Sequence, residues 1–298
     1  MILVAGATGN LGGSIVRRLL AEGKKVRILV RPGSSYRELV DVGAEPVTGD
    51  LKEPASLHAA CAGVDAVVTT ANAIGRGGED TIESVDLHGN QHLIEAAEVE
   101  GVRRFVFTSV LGASTESPVP LIRAKGEAEQ RLTKSAMTWT ILQPNLFMDT
   151  WLPMAVGGPA LAGQTVTLVG EGRRRHSMVA MRDVVSYAVA ALERNEANNQ
   201  RLLIGGPDAI SWRDAVAAFE HELGGEIPVR TVRMGDPVPG MPEQVNGLFQ
   251  VLETYDSPLD MTALAATYGV TPTALEDFVR AFVSTATSSA RMGPEVTP

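Results

Sequence analysis

The first dozen residues constrain this chain most. Ile2-Leu3-Val4-Ala5 is an apolar run of strand length, and Gly6-Ala7-Thr8-Gly9-Asn10-Leu11-Gly12 follows at once. Leu11, Ile15 and Leu19 then recur on one helical face, with Val16 and Leu20 beside them, until Gly23 ends the pattern. Strand, G-x-x-G-x-x-G turn and helix in that order is the context in which a glycine turn cradles a pyrophosphate. Glycine adopts positive φ cheaply, and without a Cβ the backbone can approach a phosphate. The phosphate charge is met by the N–H groups of the helix's first turn. Gly12 would let the helix pack closely on the strand. The pattern predicts that Gly6, Thr8, Gly9, Asn10, Leu11 and Gly12 contact a dinucleotide; the competing reading is a glycine-rich turn with no ligand.

The next 130 residues repeat the strand–helix rhythm. Strand-length runs occur at Val26–Val30, Ala66–Thr70, Phe105–Thr108 and Thr138–Leu142, and Thr48-Gly49-Asp50-Leu51 closes a further strand. A helical pattern covers Ile82 to Glu100, with Val85, Leu93, Ile94 and Ala97 facing inward. Such alternation implies an α/β fold of Rossmann type, a doubly wound parallel sheet with helices on both faces. The cofactor-binding domain is expected over 1–150. A smaller α/β substrate lobe, interleaved with it, is expected over 151–285. In that lobe Pro153, Gly157, Gly158, Pro159 and Gly163 suggest a loop-rich excursion. A strand is expected near Met178–Met181, and helices at Asp183–Arg194, Ser211–Leu223, Glu243–Thr254 and Thr273–Val283. The small, polar residues after Thr285 predict a disordered tail over 286–298.

The residue that follows the second strand discriminates between cofactors. A cofactor lacking the 2′-phosphate usually meets an acidic residue there, accepting from the ribose hydroxyls. Here the position holds Arg31, a permanently charged planar fork suited to phosphate. Arg31 therefore points to NADP(H), with Ser34 and Arg37 in the next turn as added contacts; the alternative is a solvated arginine. Asp50 is placed to accept from an adenine amino group, with Leu51 against the ring. Thr70-Ala71-Asn72-Ala73 supplies small residues for close backbone approach. Both segments read equally well as plain strand-to-helix caps.

Composition narrows the partners. A formal net charge of −9 argues against general nucleic-acid binding, which needs a basic surface. The single cysteine, Cys61, excludes an internal disulfide and thiolate-rich metal sites. His88 and His92 lie four apart without a third ligand, so no metal is assigned. No targeting segment and no apolar stretch of membrane-spanning length is visible, which suggests a cytoplasmic protein that is a monomer or a homodimer.

With these residues assembled, the chain resembles an atypical short-chain dehydrogenase/reductase of the NmrA-like, isoflavone-reductase-like branch. The likeness rests on Gly6–Gly12, Arg31, Gly49-Asp50-Leu51, Gly89-Asn90-Gln91-His92-Leu93-Ile94-Glu95-Ala96-Ala97, Phe105-Val106-Phe107-Thr108-Ser109, Lys125-Gly126-Glu127-Ala128-Glu129 and Thr140-Ile141-Leu142-Gln143-Pro144. Arg182-Asp183-Val184 and Val270-Thr271-Pro272 extend it weakly. It implies further cofactor contacts at Ser109, Lys125 and Pro144. The usual tyrosine four residues before the lysine is absent, because Leu121 stands there; Val110 holds the place of the usual serine, with Ser109 adjoining. The resemblance thus implies an NAD(P)H-dependent reductase of small unsaturated, quinoid or related carbonyl compounds. In it Lys125 stabilises the anion that develops on the acceptor. Two other roles stay open for Lys125: binding the nicotinamide ribose, or lying solvated on a charged helix. Asn145 and Phe147 are candidates for the acceptor pocket, and Trp151 and Met154 for its wall or for plain core. The same branch includes redox-responsive regulators and assembly proteins, so a non-catalytic NADP(H) sensor is the alternative.

Overall fold

The computed structural model describes residues 1–241 and 243–292, and the chain divides into two units. Unit 1 comprises Met1–Pro144, Arg182–Ile204 and Ala266–Val270; unit 2 comprises Asn145–Met181, Gly205–Ala265 and the chain from Thr271. The strands in chain order are β1 (Ile2–Ala5), β2 (Val26–Val30), β3 (Glu45–Thr48), β4 (Ala66–Thr69), β5 (Arg104–Thr108), β6 (Thr138–Pro144), β7 (Val166–Val169), β8 (Gln200–Ile204) and β9 (Val229–Val232). The helices are α1 (Asn10–Ala21), α2 (Arg37–Asp41), α3 (Pro54–Cys61), α4 (Asn90–Val99), α5 (Pro120–Thr133), α6 (Met148–Leu152), α7 (Gly158–Leu161), α8 (Met181–Glu193), α9 (Trp212–Leu223), α10 (Glu243–Leu252), α11 (Thr262–Tyr268) and α12 (Leu275–Met292).

Unit 1 holds a seven-stranded sheet of order β3-β2-β1-β4-β5-β6-β8, parallel at every pairing. Strands covered on both faces must be largely apolar, which is why β1 and β4 read as near-continuous aliphatic runs; β2 and β5 each carry one arginine, Arg27 and Arg104, whose guanidinium groups donate to backbone carbonyls. Alternation sends Leu3 and Ala5 into one layer, where they pack with Leu57 of α3, Leu93 and Ile94 of α4, and Leu132 of α5. The chain leaves β1 through α1 toward β2, and leaves β4 toward β5 on the other side. Strand order therefore reverses between β1 and β4, and a crevice opens at their carboxyl ends, the usual ligand position in an open α/β sheet.

In unit 2, β7 and β9 pair in parallel beside a core of Trp212, Phe219, Phe249, Leu168 and Val279. Several expectations are corrected here. Met178–Met181 forms no strand: Val179 alone bridges to Phe147, because Met178 N–H turns back onto the His176 carbonyl and Ser177 N–H goes to the Ser257 carbonyl. The supposed loop after Pro153 is wound instead: Pro153–Gly157 is π-helical, continuing directly from α6 through helical Leu152, and α7 follows. The last helix, α12, runs through Met292, well past the start of the expected tail; 293–298 lie outside the described residues. Among the described residues no helix is long and apolar enough to cross a membrane.

Candidate dinucleotide-binding site

The glycine turn sits where β1 feeds α1. Gly6 has φ +81°, and a Cβ there would lie 2.7 Å from Thr70 Oγ1 and 2.8 Å from Ala71 N. Gly12 is more tightly held, since its Cβ would lie 2.2 Å from the Gly6 carbonyl oxygen. Gly9 is different. Its φ of −85° suits any residue, and its Cβ would meet only the Gly6 oxygen, at 3.4 Å. Among the described residues nothing asks for glycine at position 9. The first turn of α1 also carries no side-chain cap and no acidic residue. Exposed Thr8 and Asn10 and half-buried Leu11 thus present N–H groups without a competing carboxylate, while Gly9 N–H donates to the Gly6 carbonyl at 3.1 Å and closes the turn. A pyrophosphate fits this cradle. Gly9→Ala is expected to melt within about 2 °C of the wild type, as a surface change without a clash should. It should also bind NAD(P)H at least tenfold more weakly, in a fluorescence titration, by blocking close approach.

A pocket opens from this turn, lined by Gly6, Thr8, Arg31, Asp50, Leu51 and Ala71 among the expected residues. Sequence reasoning missed Leu29, Gly49, Arg76, Asp80 and Val85, which complete the lining. Asp80 is the hub. Its carboxylate pairs with Arg31, with Lys52 Nζ at 2.8 Å and with Arg76 Nη1 at 3.7 Å, while its side chain is only 8% exposed. The Lys52 hydrogen bond holds the Asp80 carboxyl below its usual range; burial works against this, and Arg31 adds to it. The one signal available in sequence was the charged, glycine-rich run Arg76-Gly77-Gly78-Glu79-Asp80. Ser34 and Arg37 do not line the pocket: Ser34 Oγ donates to the Arg31 carbonyl at 2.7 Å, and Arg37 is exposed at the start of α2. Asp50 Oδ1 accepts from Lys52 N–H at 2.9 Å, and Leu51 is buried against the site of Gly89.

The end of β4 is clamped from behind. Thr70 N–H donates to the Ala5 carbonyl, and Asn72 folds back to accept from Ile74 N–H at 3.0 Å. Ala73 N–H donates to Asp86 Oδ2 at 2.9 Å. Asp86 lies in a π-helical stretch, Ile82–Gly89, which leads into α4. Asn90, fully buried, donates to the Val85 and Asp86 carbonyls that this winding exposes, and accepts from Thr69 Oγ1. Lys125 of α5 completes the clamp. Its ammonium is 3.0 Å from Asp86 Oδ1 and 3.3 Å from the Ala71 carbonyl oxygen, and lies 5.2 Å from the centre of the Phe107 ring. Lys125 is 3% exposed and Asp86 is fully buried, so this is an interior ion pair and not a solvated lysine.

Ser109 is committed as well. Its hydroxyl donates to Glu129 at 2.5 Å, and the same buried carboxylate takes bonds from Gln143 Nε2 and Arg201 Nε. The Pro144 carbonyl, at the end of β6, accepts from Leu111 N–H. In unit 2 the Asn145 amide donates to the Ser257 carbonyl at 2.9 Å, and its oxygen accepts from Leu146 N–H; Phe147 is half-buried just before α6. Trp151 and Met154 pack on the unit 2 core. Burial pushes the Tyr187 hydroxyl and the Cys61 thiol each up to about 12, which leaves neither fit for proton transfer or nucleophilic attack. Among the described residues no cluster could hold a metal ion.

Residues 6–195 match a family model described as NAD(P)H-binding. The chain belongs to the NAD(P)H-binding family. Among curated proteins it is 35% identical to an NAD(P)H azoreductase of Xenophilus azovorans over 78% of this chain and 76% of that one. It is 32% identical to the photosystem II assembly factor Ycf39 of Cyanophora paradoxa over 78% and 71%. Among solved structures it shares its fold with an NADPH-dependent quinone oxidoreductase of Escherichia coli complexed with NADPH (TM-score 0.79, 19% identity, 95% of this chain and 100% of that one). A Citrobacter sp. triphenylmethane reductase complexed with NADP(H) is equally near (TM-score 0.79, 20% identity, 94% and 99%). The family and fold expected from the motifs are those observed.

Proposed function

We propose that this NAD(P)H-binding protein is a reductase, preferring NADPH, that delivers hydride to a small unsaturated, quinoid or azo acceptor. The observation that carries this reading is the uncapped phosphate cradle opening into a pocket where Arg31, Lys52 and Arg76 converge. The cofactor supplies the hydride when bound. The chain's task is to hold it: N–H groups of α1 on the pyrophosphate, Arg31 on the adenosine ribose, and Ala71–Ala73 as a fixed rail. In this reading Lys125 acts through that rail and its buried charge, since its ammonium faces Asp86 and backbone carbonyls. Phe147 is taken as an acceptor contact, and the protein as a cytoplasmic monomer or homodimer.

The test is to follow loss of reduced cofactor with a panel of quinones, enones, azo dyes and triarylmethane dyes. Turnover of any class supports a reductase. Tight NADPH binding without turnover, together with recovery of a specific protein partner, favours the second reading: a non-catalytic sensor or assembly protein. That reading draws on the assembly-factor relatives and on Leu121 standing where a tyrosine would be. Arg31→Ala is expected to weaken NADPH binding roughly ten- to a hundredfold, the range of a lost charge-assisted bond, and NADH binding far less. Equal losses for both would remove the phosphate role.

A further inference from the structure

We infer that Asp80 sets the balance between NADPH and NADH by competing with the cofactor's 2′-phosphate for Arg31 and Lys52, and by accepting from the ribose hydroxyl when that phosphate is absent. The inference rests on reading the Arg31 pocket as the adenosine ribose site. A carboxylate for ribose hydroxyls normally comes from the end of the second strand. Here that position is arginine, and the carboxylate arrives from a loop 49 residues further on. It reaches the same guanidinium that a 2′-phosphate would need.

The charges around it are balanced. Arg31, Lys52 and Arg76 face Asp80, and Lys52 also lies 3.9 Å from both Asp50 and Glu79. Three cations thus meet three carboxylates, and a phosphate with nearly two negative charges gains full pairing only when Asp80 yields. Because Asp80 is tethered, it competes at a high effective concentration that no dilution removes. The tether is compliant. Gly75, Gly77 and Gly78 all have positive φ, and apart from the adjoining residues no described atom lies within 4 Å of where their Cβ atoms would be. Two backbone bonds shape the turn, Arg76 N–H to the Ala73 carbonyl at 3.1 Å and Asp80 N–H to the Gly77 carbonyl at 3.3 Å, and Ser84 Oγ donates to the Glu79 carbonyl at 2.8 Å. A ribose bearing a free 2′-hydroxyl faces no such contest, since a hydroxyl donates and Asp80 accepts.

The experiment titrates the full chain with 2′,5′-ADP and with 5′-AMP, which differ only in the 2′-phosphate. Asp80→Asn is expected to bind 2′,5′-ADP about tenfold more tightly at low salt, as removal of one adjacent like charge should allow. It should bind 5′-AMP no more tightly than the wild type does. Asp80→Ser should repeat the gain, and Asp80→Glu, which keeps the charge, should not. Arg31→Ala is run alongside. Unchanged or weaker 2′,5′-ADP binding in both Asp80→Asn and Asp80→Ser, with Arg31→Ala still losing it selectively, overturns the role of Asp80 and leaves the phosphate site standing. Equal loss of both nucleotides in Arg31→Ala overturns the reading beneath it.

Discussion

Replacing Lys125 with alanine is expected to cost about 3–5 kcal/mol of stability, because it strands the Asp86 carboxylate in the interior. Asp86 is fully buried, and Lys125 is the cation that faces it, at 3.0 Å. For a chain of this size the loss corresponds to a fall in melting temperature of the order of 10 °C. NADPH affinity should fall with it, since Lys125 and Asp86 together anchor Ala71 and Ala73 in the segment that backs the glycine turn. A loss of turnover in this variant alone would therefore say little about chemistry.

A second substitution separates the two effects. Lys125→Met combined with Asp86→Asn removes both charges while keeping bulk, and leaves an amide oxygen for Ala73 N–H. Replacing a whole buried pair is often nearly neutral where breaking it is not. Thermal melting and NADPH titration should both return toward wild-type values in the double variant. Turnover then decides. Recovery of kcat with binding would establish Lys125 as a positioning residue. Restored binding with kcat still depressed would show that its charge stabilises the acceptor anion, as the family likeness implies.

The legible parts of this molecule are those written locally. β1 and β2 occupy the very residues expected, because strands buried on both faces are written as apolar runs, broken in β2 by Arg27 alone. β8 lies at the sheet edge, and its Gln200-Arg201-Leu202-Leu203-Ile204 buries only Leu202 and Ile204, so it escaped notice. The glycine turn was legible for the same local reason. Its steric logic involves neighbours six residues away, apart from the Thr70–Ala71 wall. The charged hub was not. Arg31, Lys52, Arg76 and Asp80 belong to three different strand-to-helix connections, and only the switch of strand order between β1 and β4 brings those connections to one crevice. Lys125 and Ser109 were both singled out from the sequence. Their partners, Asp86 and Glu129, come from other turns of the chain, so sequence could not show that both side chains point inward.

Gly12→Ala should be as damaging as Gly9→Ala is mild, although both add one methyl to the same turn. At Gly12 the new Cβ would sit 2.2 Å from the Gly6 carbonyl oxygen, 2.7 Å from its carbon and 2.8 Å from Thr70 Oγ1. Two of these three are backbone atoms of a turn fixed by Gly6 at positive φ, so no rotamer change relieves the clash. Relief requires α1 to lift from β1. Overpacking of this kind costs about 1–3 kcal/mol or more. The upper end is expected here, since Ile15, Val16 and Leu19 of α1 are buried and must move with the helix. The same displacement carries the first-turn N–H groups away from the pyrophosphate, so NADPH affinity should fall roughly a hundredfold. Melting curves and cofactor titrations on the two alanine variants, read side by side, test the division of labour directly. The expected result is that position 12 is glycine for the fold, and position 9 is glycine for the ligand. A Gly12→Ala protein that melts and binds like the wild type would mean that α1 is held against β1 far more loosely than this packing requires.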